Sequence, residues 1–355
     1  MTIVYILAAL FVFGLLVAVH ELGHFLAAKA CGVRVNEFSI GMGPAIWTKE
    51  KGETLYALRA LPVGGYCAME GEDEDTGDER AFTRQGFWKK FLILAAGAGM
   101  NFLTGVVILL ALYAGAQTVY TDQIAGFAPE FAQQGEEGLM EGDLIYKIDG
   151  YRTYLAGDAQ MFLSYGGDTV DIEVVRDGEH ILVEDVPRAT YTGTDGQPYT
   201  GYGLLVGSSG QEATLGVKLQ SAWYNALDYV QLVWFSLVQL VTGNAGMQDL
   251  SGPVGIVSIM TETGQAASQY GLLVVIRSLA NFAALLAVNL AVMNLLPIPA
   301  LDGGRIFLLL VDAVGMLLFK KKVPEKYQAA VNTAGFVVLM GFMLVVTVFD
   351  VFRLF

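Results

Sequence analysis

The sequence predicts a polytopic α-helical membrane protein with a folded, water-facing insert, and three observations carry that reading. Residues 3–28, 91–118, 271–296 and 333–351 are each apolar over about the 20 residues that a bilayer-spanning helix needs. Of the 355 residues, 54% are hydrophobic and only 16% charged, with a mean hydropathy of +0.50. That balance is too apolar for one soluble domain and too charged for a bare helix bundle. Between the second and third apolar stretches, residues 119–270 hold twenty acidic and five basic side chains, as a solvated insert would. The net charge of −14 argues against nucleic acid, which selects basic surfaces. Cys31 and Cys67 provide neither a disulfide framework nor a Cys-x-x-Cys zinc knuckle.

The first stretch is apolar from Ile3, carries no Lys or Arg before it and runs past signal-peptide length, so it reads as a retained first helix. Inside it stands LLVAVHELGHFLAA. His20 and His24 are four residues apart, so they share a helix face and can offer two imidazole nitrogens to one metal ion. Glu21, next to the first histidine, is in the position of a general base in H-E-x-x-H motifs. A pair of core histidines is the bland alternative. In a bilayer span, however, three such side chains would each cost kilocalories without partners. The third histidine, His180, reads as an ordinary surface residue.

After this helix, FSIGMGPAIWT and TLYALRALPVGGY contain strand-like stretches broken by Gly and Pro, as in β-hairpins. The acidic run 70–79 reads as a solvated loop. The insert then opens on Ile124, Gly126 and Phe127 and closes on DTVDIEVVRDGEHILVEDV, whose alternation and Asp177–Gly178 turn predict a half-buried hairpin. A strand-rich tail, 199–220, follows. Residues 221–241 are apolar enough to suggest a span. Asn225, Asp228, Gln231 and Gln239, however, fall mostly on one stripe beside interfacial Trp223 and Trp234, which predicts an amphipathic helix on or beside the membrane.

A catalytic zinc site wants a third protein ligand and an open position. FLAAKAC, after His24, offers no third histidine at metzincin spacing. The best distant candidate is Asp302 in AVMNLLPIPALDGGRIF, where Pro297 and Pro299 end the third span. His20 lies 17 residues after Ile3, about 25 Å along a helix, near the inner side of a core roughly 30 Å thick. Asp302 follows the inner end of the third span if residues 221–241 do not cross. The charges agree: residues 27–90 hold nine Lys and Arg, and 297–332 add Arg305, Lys320, Lys321, Lys322 and Lys326. The positive-inside rule puts these loops in the cytoplasm and the N-terminus and 119–270 outside.

Gly138–Gly150 resembles the GL-x-x-GD-x-I-x-x-I-x-G signature of PDZ domains, over roughly residues 120–188. HELGH in the first span, NLLPIPALDGG after the third and a PDZ-like insert between the second and third together resemble the site-2 protease family, in its bacterial regulated-intramembrane-proteolysis branch. The resemblance covers nearly the whole chain. It implies a fold of four transmembrane helices, membrane-associated β-hairpins and an extracytoplasmic PDZ-like α+β domain. The expected divisions are a first membrane half 1–118, a PDZ-like domain with its tail 119–205, an amphipathic region 206–270 and a second membrane half 271–355. It further implies Zn2+ held by His20, His24 and Asp302, with Glu21 as catalytic acid/base. Asn294 would help position a substrate strand, although helix–helix hydrogen bonding explains it equally well. Gly64 and Gly65 of ALPVGGY would belong to a hairpin that receives substrate by strand addition. SGPVGI, 251–256, resembles a family element whose role does not follow from its chemistry. One departure stands out: many members with this topology carry two PDZ domains, and this insert has room for one.

The implied activity is intramembrane zinc metalloproteolysis of single-span substrates, such as anti-sigma factors or signal-peptide remnants, as the second cut of regulated intramembrane proteolysis. The implied location is the bacterial inner membrane, with the zinc site near the cytoplasmic side. Two other classes compete. A non-proteolytic membrane scaffold binding peptides through the PDZ-like domain leaves the three-ligand set unexplained. An ion transporter explains neither the hairpins nor the insert.

Overall fold

The computed structural model describes residues 2–72, 76–192, 197–244, 246, 250–321 and 323–353. The chain divides into two compact units, Met1–Ile108 with Val233–Phe355, and Leu109–Leu232.

The first unit is helical. α1 (Thr2–Ala30) is apolar on nearly every face, and Lys29 in its last turn suits the negative end of the helix. It leads into β1 (Val35–Lys51) and β2 (Thr54–Met69). β1 bends at Gly41 and Gly43, whose φ values of +86° and +82° favour glycine, so the expected hairpin strands merge into one folded sheet. Glu37 to Ile40 pair with Ala68 to Gly65 and also with Leu55 to Leu58, while Trp47 to Glu50 pair with Leu58 to Leu55. The rows thus run 45–51, 54–59, 35–40 and 65–69, which leaves the 65–69 row at an edge among the described residues.

A 3-10 turn, Phe82–Arg84, precedes α2 (Phe87–Ala114). Beyond the second unit come α5 (Pro253–Ser268), α6 (Leu272–Leu295), α7 (Asp302–Phe319) and α8 (Glu325–Arg353). Among the described residues, α1, α2, α6 and α8 hold the four segments long and apolar enough to cross a membrane: Ile3–Ala30, Phe87–Ala114, Leu272–Leu295 and Tyr327–Arg353. They match the four expected stretches, with ends shifted by a few residues. The second starts four residues early and ends at Ala114, because a strand, β3 (Thr118–Phe127), takes the chain from Thr118. SGPVGI now has a structural reason. Pro253 is the first residue of α5, and buried Asp350 on α8 accepts the Gly252 and Gly255 amides at 3.2 and 2.8 Å. A side chain from another helix thereby caps α5.

The second unit holds an antiparallel sheet in the order β10 (Leu204–Glu212), β3 (Thr118–Phe127), β4 (Leu144–Ile148), β6 (Thr169–Arg176), β7 (Glu179–Pro187), with β5 (Tyr151–Arg152) beside β4. α3 (Asp158–Tyr165) packs on it, and β8 (Ala189–Thr192) pairs with β9 (Pro198–Gly201). Ile145, Ile148, Ile172 and Val174 are buried on it: β6 alternates as expected, and a register shift after Ile145 in β4 leaves Ile148 buried as well. Buried Asp143 accepts the Met140 amide at 2.8 Å and two hydrogen bonds from Arg176 at 2.8 and 2.7 Å.

α4 (Leu215–Thr242) contains the ambiguous stretch, and it is not among the helices apolar enough to cross a membrane. Its polar stripe faces protein: Asn225 and Asp228 are buried, and Asn225 donates to the Tyr113 hydroxyl at 3.2 Å. Trp223 and Trp234 are exposed.

Candidate metal centre

His20 and His24 sit one turn apart on α1, and both Nε2 atoms turn toward one oxygen of Asp302. His20 Nε2 lies 3.1 Å from Asp302 Oδ2, His24 Nε2 lies 3.3 Å from it, and the two nitrogens are 3.2 Å apart. Among the described residues these three form the one cluster of His, Cys, Asp and Glu whose donor atoms could hold a metal ion. The spacing fits zinc. Ligand bonds of about 2.0–2.1 Å in a tetrahedron place donor atoms roughly 3.3 Å apart. Oδ2 is buried beside both rings yet meets no donor in a hydrogen-bonding direction, as ligands aimed at a shared point would.

The local folding explains the meeting. α6 stops at Pro297, and Ile298 and Leu301 close a tight turn through Leu296 and Ile298 carbonyls at 2.7 and 3.2 Å. Asp302 is therefore the first residue of α7 and not a loop residue, and the helix N-terminus favours its negative charge. On the far side, α2 supports the rings. His24 Nδ1 donates to the Ile93 carbonyl at 2.8 Å. A Cβ on Gly97 would fall 2.3 Å from His24 Nε2, so only glycine lets α2 come this near.

A cavity of about 520 Å³ opens on the cluster. His20, Glu21, His24, Asn294 and Asp302 line it, together with Tyr66 to Met69 of the sheet edge. Gly65 lies against Glu21: a Cβ there would meet Glu21 Cγ at 3.3 Å. Gly64, one residue earlier, faces Met42 instead. The structure thus brings together the expected site residues, Gly65 through its contact with Glu21, except Gly64, which stands two positions back from the wall.

Three wall residues escape the sequence reading. Glu72 lies in the acidic run, where a solvated loop was expected; it turns inward and pairs with Arg305 of α7. Glu70 keeps the expected surface role, accepting from Asn36, and residues 73–75 lie outside the described residues, as does Lys322. The i, i+3 spacing of Asp302 and Arg305 was a readable sign that both look the same way. Asn101 of α2 is also on the wall. As a lone amide in an apolar span, it could have been singled out by the cost of placing it there. Cys67 lines the cavity as a free thiol that burial, with Glu21 and Glu72 nearby, pushes up to about 12.

Comparison with known proteins agrees with this geometry. The profile described as peptidase family M50 matches residues 8–342. A Clostridium perfringens protein provisionally named a zinc metalloprotease is 36% identical over 349 residues, spanning 98% of both chains. A Clostridium acetobutylicum protein with the same provisional name is 35% identical over 352 residues, 98% of this chain and 97% of its own. The zinc metalloprotease RasP of Shouchella clausii is 31% identical over 433 aligned positions, covering 99% of each chain. The chain belongs to peptidase family M50, the site-2 proteases, and is a zinc metalloprotease.

Proposed function

We propose that this protease cuts peptide bonds within or next to the transmembrane helix of single-span substrates, as the second cut of regulated intramembrane proteolysis. One observation carries the reading: His20, Glu21 and His24 stand on a helix apolar enough to cross a membrane, and Asp302 meets them there. A protease of soluble peptides has no reason to place its ligands so.

In this reading His20, His24 and Asp302 hold the zinc ion. Zinc supplies Lewis acidity, making water acidic and a carbonyl electrophilic. Glu21 takes the proton of the attacking water and returns it to the leaving amine. A substrate helix hides its carbonyls in its own hydrogen bonds, so it must unwind before attack. The edge row 65–69, beginning at Gly65 beside Glu21 and preceded by Gly64, offers backbone groups to an extended segment. Asn294, which lines the same cavity, offers its amide to the same strand.

Residues 119–205 act as the PDZ-like domain, and the burial of its signature residues Leu139, Asp143, Ile145 and Ile148 supports that reading. We assign it to the extracytoplasmic side as a size filter that admits substrates already trimmed outside. The loops 31–86 and 297–324 face the cytoplasm of a bacterial cell, in accord with the charge rule. The test is cleavage of a single-span substrate reconstituted with purified enzyme. Glu21→Gln should bind zinc at wild-type stoichiometry and lower turnover by about 10²–10⁴-fold. Wild-type turnover in that variant would remove the proposed base.

A further inference from the structure

We infer that Asn101 is a positioning residue: its amide oxygen accepts the Nδ1 proton of His20 and so fixes that ring with Nε2 turned to the metal. The inference rests on the zinc site proposed above and concerns a residue that site does not contain.

A neutral imidazole carries one proton, on one nitrogen or the other. Both Nε2 atoms turn toward Asp302 Oδ2, at 3.1 and 3.3 Å, so as ligands both must be unprotonated there. The protons then sit on the two Nδ1 atoms, and each needs an acceptor in this buried wall. His24 has one in the Ile93 carbonyl at 2.8 Å. His20 Nδ1 faces the Asn101 side chain at 3.4 Å, with Nδ2 as the near atom. A protonated Nδ1 opposite an amide NH2 would be donor against donor. The other end of that amide, Oδ1, is buried and meets no donor. Asn101 is 1% exposed, so bulk water does not repair the mismatch.

Both faults have one cure. The two ends of an amide have nearly the same shape, and a half-turn about the Cβ–Cγ bond exchanges them. Oδ1 then accepts from His20 Nδ1, and the otherwise unpartnered oxygen is satisfied by the proton that needed it. The arrangement gives each histidine an acceptor from α2, a carbonyl for His24 and a side-chain amide for His20. Outer partners of this kind select the ring tautomer and hold its direction. A merely structural Asn101, bonding helix to helix, would have no reason to prefer acceptor over donor.

The discriminating experiment is zinc affinity of the purified full-length protein in detergent, measured by chelator competition near pH 7. Asn101→Ala removes the acceptor and should weaken zinc binding roughly 10- to 100-fold. Asn101→Asp can accept but not donate, and should bind zinc at least as tightly as wild type. Wild-type affinity in the alanine variant overturns the inference. So does an aspartate variant that binds zinc 10-fold or more weakly than wild type, and that arm decides the matter even if the alanine variant misfolds. Asp302→Ala serves as the control for the site itself. Should it bind zinc like wild type, the site is wrong and Asn101 falls with it; should it alone lose zinc, only Asn101 is overturned.

Discussion

Carboxylates are drawn inside both units of the molecule, and several end on backbone amides whereas Asp302 does not. In Leu109–Leu232, Asp122 accepts the Gly157 and Ala159 amides at 2.7 and 2.6 Å, capping α3 from a neighbouring strand. Asp158 accepts the Tyr154 and Leu155 amides, each at 2.7 Å, and Asp143 is held by Arg176 and the Met140 amide. Asp350 on α8 does the same for α5. In the helical unit, Asp302 instead faces two imidazoles, and its Oδ2 meets no donor. An acid whose lone pairs end on backbone amides belongs to the architecture. One aimed with histidines at a shared point belongs to the chemistry. Residue type alone does not separate them; the partner does.

The largest effect should come from breaking the second kind. Asp302→Ala should lose zinc and cleavage together while the melting of Leu109–Leu232 stays as in wild type. Metal analysis and unfolding of the same preparation check it, and unchanged zinc stoichiometry would move the third ligand elsewhere. Breaking the first kind should do the reverse. Arg176→Leu strands the Asp143 carboxylate, whose side chain is only 1% exposed, and should cost about 3 kcal/mol of stability in that unit. Zinc content should not change, and a loss of zinc in this variant would blur the division.

The smallest effect concerns an acid that fits neither kind. Asp228 on α4 is buried, and its Oδ1 meets no donor. Burial, with Asp158 nearby, pushes its carboxyl up to about 8. The folded protein therefore keeps this proton where an unfolded chain, with an ordinary value of 3.8, has released it. Asp228 thus favours the fold most below pH 3.8, and that contribution is lost as pH rises toward about 8. Thermal unfolding between pH 6 and 9 should fall less steeply in Asp228→Asn than in wild type. Equal slopes would show that this carboxyl is not the titrating group.

How much of this was legible follows from distance along the chain. HELGH is local: helix geometry alone puts His20 and His24 on one face. Asp302 was reachable because Pro297 and Pro299 fix where the third span ends, although its place at a helix start was not. The four spans and the alternation of β6 and β7 follow from composition and period. SGPVGI stayed opaque because its partner, Asp350, lies almost a hundred residues away on another helix. Glu72 was hidden among other acids, and only folding shows that it turns inward to Arg305. The bend at Gly41 and Gly43, which merges two hairpins into one sheet with an edge at the cavity, likewise depends on pairings that periodicity cannot rank.

The central claim is that two imidazoles and one carboxylate bind the zinc, and X-ray absorption at the zinc edge of the purified protein tests it most directly. The account predicts a shell of nitrogen and oxygen alone at about 2.0–2.1 Å, with outer scattering from two histidine rings. Cys67 lines the same cavity, so the contradicting result is specific: sulfur scattering at about 2.3 Å, or fewer than two imidazoles, would mean that the metal sits elsewhere.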